Sequence, residues 1–164
     1  MCDSKPAAYE EAAYKKSGEY YKRTKKNYFG GLAKRDLERR ITLGKNSAWL
    51  ATFAPVLAND ITGIFSGKSS FFELSSPDIK NMAKEISQIF GALWKLGARS
   101  ANMAIYSAPL SEKNRWFTLH ARIGTRPTMQ ANYSSDKGFM EILHQETVVS
   151  TIPEEVAKSV RELI

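Results

Sequence analysis

The stretch SSPDIKNMAKEISQIFGALWKLG, residues 75–97, limits the fold more than any other part of the chain. Ile79, Met82, Ala83, Ile86, Ile89, Phe90, Leu93 and Leu96 recur at three- and four-residue spacing, which places them in one stripe along a helix. The Met82, Ile86, Ile89 and Leu93 stripe reads as core and not as a cofactor box. Ser76 suits the N-cap, Pro77 the first helical position, and Asp78 the positive end of the helix dipole. Gly97 suits the residue just past the end. A long helix with one apolar side needs an apolar surface to cover, and the flanking segments supply a sheet.

Residues 6–26 predict a helix rich in Ala, Glu and Lys, with Gly18 weakening its middle. Gly30-Gly31 interrupts it, and a short helical turn follows from Leu32 to Arg39. RITLGKNSAWLATF predicts a hairpin, with arms Arg40–Leu43 and Ala48–Phe53 around GKNS, ended by Pro55. DITGIFSG (60–67), NMAIYSAP (102–109), RWFTLHARIGTRP (115–127) and GFMEILHQETVVS (138–150) predict further strands. Residues 111–114 and 128–137 predict loops, and PEEVAKSVRELI a terminal helix with Pro153 in its first turn. The order implies an α+β fold: a mainly antiparallel sheet, one long amphipathic helix packed on it, and helices at both termini.

The 164 residues fit one domain, and 43% hydrophobic with 25% charged residues suits a folded core. No apolar run approaches the roughly 20 residues that span a bilayer, so no membrane partner is expected. No basic-then-apolar leader is visible at the N-terminus. The single cysteine, Cys2, has no internal partner. A cytoplasmic location is the resulting expectation. The formal net charge of +7 favours anionic partners.

Residues 115–124, RWFTLHARIG, alternate strictly. Phe117, Leu119, Ala121 and Ile123 fall on one side, and Thr118, His120 and Arg122 on the other. Arg122 could grip phosphate oxygens bidentately with His120 beside it, or the face could simply be solvated. Arg126 lies one turn beyond. Asn102, Tyr106 and Ser107 flank the neighbouring strand and suit hydrogen bonds to a sugar or base. Gly63, Gly67 and Lys68 in TGIFSGKSS fall one residue short of a phosphate loop and lead into SFFEL, not into a helix. His144 has no visible partner. The basic, tyrosine-rich stretch YKKSGEYYKRTKKNYF supports the alternative of a nucleic-acid-binding module with a footprint over residues 15–45. A non-catalytic interaction domain is the third class.

FAP (53–55), the SSPD-initiated helix, NMAIYSAP, and LHARIGTR leading to PEEVA together resemble the second domain of galactose-1-phosphate uridylyltransferases, of the histidine-triad (HIT-like) superfamily. The resemblance spans about residues 38–164, leaving 1–37 as a basic helical extension. It implies a HIT-like sheet that binds a nucleotide sugar or sugar phosphate. The first half of such enzymes carries a His-Pro-His motif whose second histidine attacks the α-phosphate of UDP-glucose. This chain has neither His-Pro-His nor Cys-x-x-Cys. Only His120 falls on the second half's alternating motif, with Thr118 and Arg122 where other members place histidines. The phosphate or substrate contacts expected are therefore Thr118, His120 and Arg122, which the resemblance places on the motif, with Arg126, Asn102 and Ser107 as neighbouring candidates. His120 is at most a weak catalytic candidate. No zinc or iron site is expected. The nucleophile is expected from a partner domain or subunit, with a homodimer as one arrangement.

Overall fold

The computed structural model describes residues 7–44, 46–109, 114–126, 140–144 and 146–164, with backbone alone at 43 and 142. The expected loop at 128–137, most of 111–114, Pro127 and Cys2 lie outside the described residues.

Two helices open the chain, α1 (Ala8–Thr24) and α2 (Tyr28–Arg35). The hairpin β1 (Arg40–Leu43) and β2 (Ser47–Ala51) follows, then β3 (Ala58–Phe65). The long helix α3 spans Ser76–Lys95. Strands β4 (Ala101–Tyr106) and β5 (His120–Thr125) come next, and α4 (Pro153–Arg161) closes the chain. The five strands form one sheet in the order β1-β2-β3-β5-β4, with every neighbouring pair antiparallel. The α+β, HIT-like fold expected from the sequence is the fold observed.

Both faces of the sheet are covered. On one side Trp49, Ile61, Leu119, Ala121 and Ile123 meet Met82, Ile89 and Leu93 of α3 and Val156, Ala157 and Val160 of α4. On the other, Ala48, Leu50 and Ile64 meet Phe29 and Ala33 of α2, with Tyr14 of α1 packed alongside. Residues 48–51 are therefore buried without a break, as expected for a strand covered on both sides. The N-terminal helices are a layer of this packing.

Ser75, one residue earlier than expected, is the N-cap of α3. Its hydroxyl accepts from the Asp78 backbone N–H, and the Asp78 carboxylate accepts from the Ser75 N–H, a reciprocal capping box. Gly97 follows the helix at φ 96°, in the left-handed region that favours glycine.

Three expectations change. Gly30-Gly31, expected to interrupt the helices, lie inside α2, which ends at Arg35 and not at Arg39. The strand expected over 115–127 is regular only from His120, because the Asn114 side chain accepts from the backbone N–H groups of Trp116 and Phe117 and turns the chain there. The strand expected over 138–150 is not one. Met140–His144 form a helical turn, and Glu146 N–H donates back to the Met140 carbonyl. The Leu143 and Val148 side chains, 75% and 65% exposed, have no sheet face to enter.

Gly63 sits on β3 directly opposite Trp49. A Cβ there would lie 2.6 Å from the indole ring, which is buried and fixed by its Nε1–H donating to Glu85. Gly63→Ala is expected to lower stability by about 1–3 kcal/mol through overpacking, read as a lower urea midpoint at unchanged slope.

Candidate functional site on the inner sheet face

Antiparallel pairing puts residues opposite one another on the same face. Tyr106 pairs with His120 and Ile64 with His120 from the other side, while Thr62 and Ala104 flank Arg122. Thr118, His120 and Arg122 therefore project toward α1 and α2. This face is not solvated: His120 has no exposed surface, Thr118 is 4% exposed, and Arg122 is half-buried.

His120 lies in an aromatic box. Its ring stacks on Phe29 at 4.4 Å between centroids, with Tyr106 at 5.1 Å and Phe117 at 5.3 Å. Nδ1 lies 2.9 Å from the Thr118 carbonyl, which can only accept, so Nδ1 carries the proton. Nε2 is left as acceptor for the Tyr9 hydroxyl, 3.5 Å away. Burial pushes the His120 pKa down to about 4; the charge of Arg122 adds to this and the bond to Thr118 opposes it. At neutral pH this is an uncharged imidazole with both nitrogens engaged.

Arg122 is held by Asp60. Its Nε donates to Asp60 Oδ1 at 2.9 Å and its Nη2 to Oδ2 at 2.6 Å, and the Asp60 side chain has no exposed surface. Nη2 also reaches the Ala54 carbonyl at 3.3 Å. Asp60 further accepts from the Thr52 hydroxyl at 2.9 Å and the Val56 N–H at 2.8 Å. Burial alone would lower the Arg122 pKa, but the bonds and charge of Asp60 raise it, so the guanidinium stays charged. It stands over the Tyr9 ring at 5.2 Å. Burial raises the Tyr9 pKa against the opposing pull of Arg122.

The other sequence candidates separate. The Thr118 hydroxyl donates to the Asn27 side chain at 3.1 Å, tying β5 to the cap of α2. Ser107 ties segments together: its Oγ accepts from Phe71 N–H, and its own N–H donates to the Glu10 carboxylate of α1. Asn102 is exposed on β4, and Arg126 is exposed with its N–H on the Ser100 carbonyl. Neither joins the His120 box. Gly67 and Lys68 form a turn whose lysine bonds the Glu73 carbonyl and pairs with Asp78 at 3.3 Å. Tyr14 and Tyr21 of α1 pack on Trp116, while Lys15, Lys16, Lys22 and Arg23 stay exposed.

Asp60, Tyr9 and Phe29 were missed from the sequence. Asp60 opens the strand DITGIFSG, and only the β3–β5 register puts it beside Arg122. Among the described residues no cluster of three or more His, Cys, Asp or Glu could hold a metal, and no helix is long and apolar enough to cross a membrane. Beside Arg122 a cavity of about 370 Å³ opens between α2 and the β2–β3 loop, lined by Tyr9, Tyr28, Arg39, Thr52, Phe53 and Thr62 among others.

This geometry belongs to the HIT-like fold, which a HIT-like protein from Bartonella henselae shares at TM-score 0.58 and 18% identity, over 84% of this chain and 96% of that one. Within that fold it is similar to half of a uridylyltransferase: TM-score 0.81 and 17% identity, covering 94% of this chain and 50% of that one. An ADP-glucose phosphorylase from Arabidopsis thaliana is alike over 98% of this chain and 50% of that one, at TM-score 0.77 and 20% identity. An uncharacterized protein of Archaeoglobus fulgidus is 28% identical over 126 residues, 77% of this chain and 37% of its own length. The chain thus spans about half the length of those two enzymes and less of the archaeal protein. No family model matches the sequence.

Two outcomes follow from the face. The unfolded state binds a proton at His120 below about pH 6.5 and the folded state only below about 4, so stability falls as pH drops through that window. The expected slope is up to about 1.4 kcal/mol per pH unit, absent in His120→Phe, from urea midpoints at pH 7, 6 and 5. Asp60→Ala leaves Arg122 half-buried without its partner and is expected to cost about 3–5 kcal/mol by the same measurement.

Proposed function

We propose that this chain is a HIT-like domain, similar to the C-terminal half of a galactose-1-phosphate uridylyltransferase, that binds a nucleotide sugar or sugar phosphate and leaves the transfer nucleophile to another domain. The observation that carries the reading is the likeness to half of a uridylyltransferase over 94% of the chain. His120 is unsuited to attack on phosphorus: its Nε2 is turned to Tyr9 inside a closed box. Arg122, aimed by Asp60, lines the 370 Å³ cavity and is the phosphate contact in this reading, with Thr118 and His120 behind it as positioning residues. Residues 1–37, whose described part forms α1 and α2, are a basic extension of the HIT-like part, 38–164.

The partner's place in this reading is β4. It ends the sheet, and Asn102, Met103 and Ala104 are exposed along it. A strand of the domain carrying the nucleophile would pair there. A cytoplasmic location accords with the single cysteine and with soluble sugar-phosphate chemistry.

Calorimetry with UDP-glucose, galactose 1-phosphate and UDP tests the binding claim. Wild type is expected to bind at least one of them. Arg122→Lys keeps a charge opposite Asp60 but gives up one of the two donors that meet it; it is expected to melt at a lower temperature and, titrated below that transition, to bind at least about fivefold more weakly. Absence of heat with all three ligands overturns the reading, as does a uridylyl adduct on His120 seen by mass spectrometry.

A further inference from the structure

α1 carries aromatic residues on two sides, and only one side is filled. Tyr14 and Tyr21 pack on Trp116. On the other side a cleft of about 610 Å³ lies between α1 and α2, and Tyr9, Lys16, Tyr20, Arg23, Tyr28 and Phe29 line it. Its volume is that of a small-molecule site. Lys16, Tyr20 and Arg23 follow one another at four and three residues, so they share one face of α1. Tyr28 faces them from α2, its ring 5.7 Å from that of Tyr20, edge to face.

The two cations are uncommitted. Neither Lys16 nor Arg23 has an ion-pair or hydrogen-bond partner among the described residues, whereas Arg39, Arg122 and Lys68 all do. Glu19 also lines the cleft but pairs with neither, leaving one net positive charge from the three. The half-buried Tyr20 ring and the exposed Tyr28 ring offer stacking surface to a planar ring, and unpaired Lys16 and Arg23, one turn to either side of Tyr20, offer donors to an anion. A ligand that satisfies both is a planar heterocycle joined to a phosphate.

We propose that the α1–α2 cleft takes the nucleoside-phosphate end of the ligand, its base on Tyr20 and Tyr28 and its phosphate on Lys16 and Arg23. This rests on the reading that the chain binds a nucleotide sugar, and it gives that ligand's nucleotide a place. Tyr9, Tyr28 and Phe29 also line the 370 Å³ cavity beside Arg122, so they form a common wall between the two spaces.

Calorimetric titration with UMP, uridine and UDP-glucose, on wild type and on the double variant Lys16→Ala/Arg23→Ala, tests the assignment. Both side chains are exposed, so the variant is expected to keep the wild-type melting temperature. UMP affinity is expected to fall about tenfold or more, while the weaker binding of uridine stays unchanged. Tyr28→Leu is expected to weaken UMP and uridine alike. If UDP-glucose binds wild type and double variant equally, the cleft assignment is overturned and the broader reading stands. If neither UMP nor UDP-glucose binds wild type, the cleft assignment is overturned; the broader reading falls with it only if galactose 1-phosphate and UDP also fail to bind. Binding of a single-stranded oligonucleotide without UMP also overturns the cleft assignment.

Discussion

The carboxylate of Asp60 organises one whole side of this molecule. It is fully buried, and a buried carboxylate is tolerated only where its oxygens are met by donors. Four donor atoms meet it: two nitrogens of Arg122, the Thr52 hydroxyl and the Val56 N–H. Those donors come from β5, from the end of β2 and from the β2–β3 loop, so one charge fixes the relation of three segments. The pair also brings its own neutrality. Arg122 stays protonated because the bonds and charge of Asp60 favour its charged form, and the two are buried together as a pair under α1 and α2.

The same arrangement explains why a triad-like sequence pattern yields no exposed histidine. Phe29 of α2 lies flat on His120, and Asn27, the cap of that helix, accepts from Thr118. The helix is thus docked by its cap and by its first buried ring onto two residues of the face. Covering the face in this way removes water from His120 and disfavours its charged form. Histidine here acts as an aromatic core residue that also satisfies a turn carbonyl and a tyrosine hydroxyl.

Much of this could be read directly from residue order. The apolar stripe of α3 defined its burial against a sheet, and the arms of the first hairpin were marked by GKNS and Pro55. The alternation at 117–123 correctly divided Phe117, Leu119, Ala121 and Ile123 from Thr118, His120 and Arg122. What alternation could not supply was the cover on the second side, since polar residues on a strand read as solvated until the helix above them is placed. Asp60 was invisible for a related reason: its partner lies 62 residues away, and only strand register joins them. The segment misread as a strand at 138–150 has apolar residues at suitable spacing, but among its described residues Met140–His144 turn as a helix and Glu146 N–H donates back to Met140 instead of to a neighbouring strand.

The two rims of the sheet are unlike. At β1, Arg161 of α4 donates to the carbonyls of Glu38 and Arg40 and blunts the rim. At β4, among the described residues, no helix or charged side chain stands guard, and the neutral run Ala101–Tyr106 is exposed along half its length. A sheet with one guarded rim can grow in one direction only. A strand added by backbone pairing would therefore have the β4 rim to take, and the described residues offer it no second one.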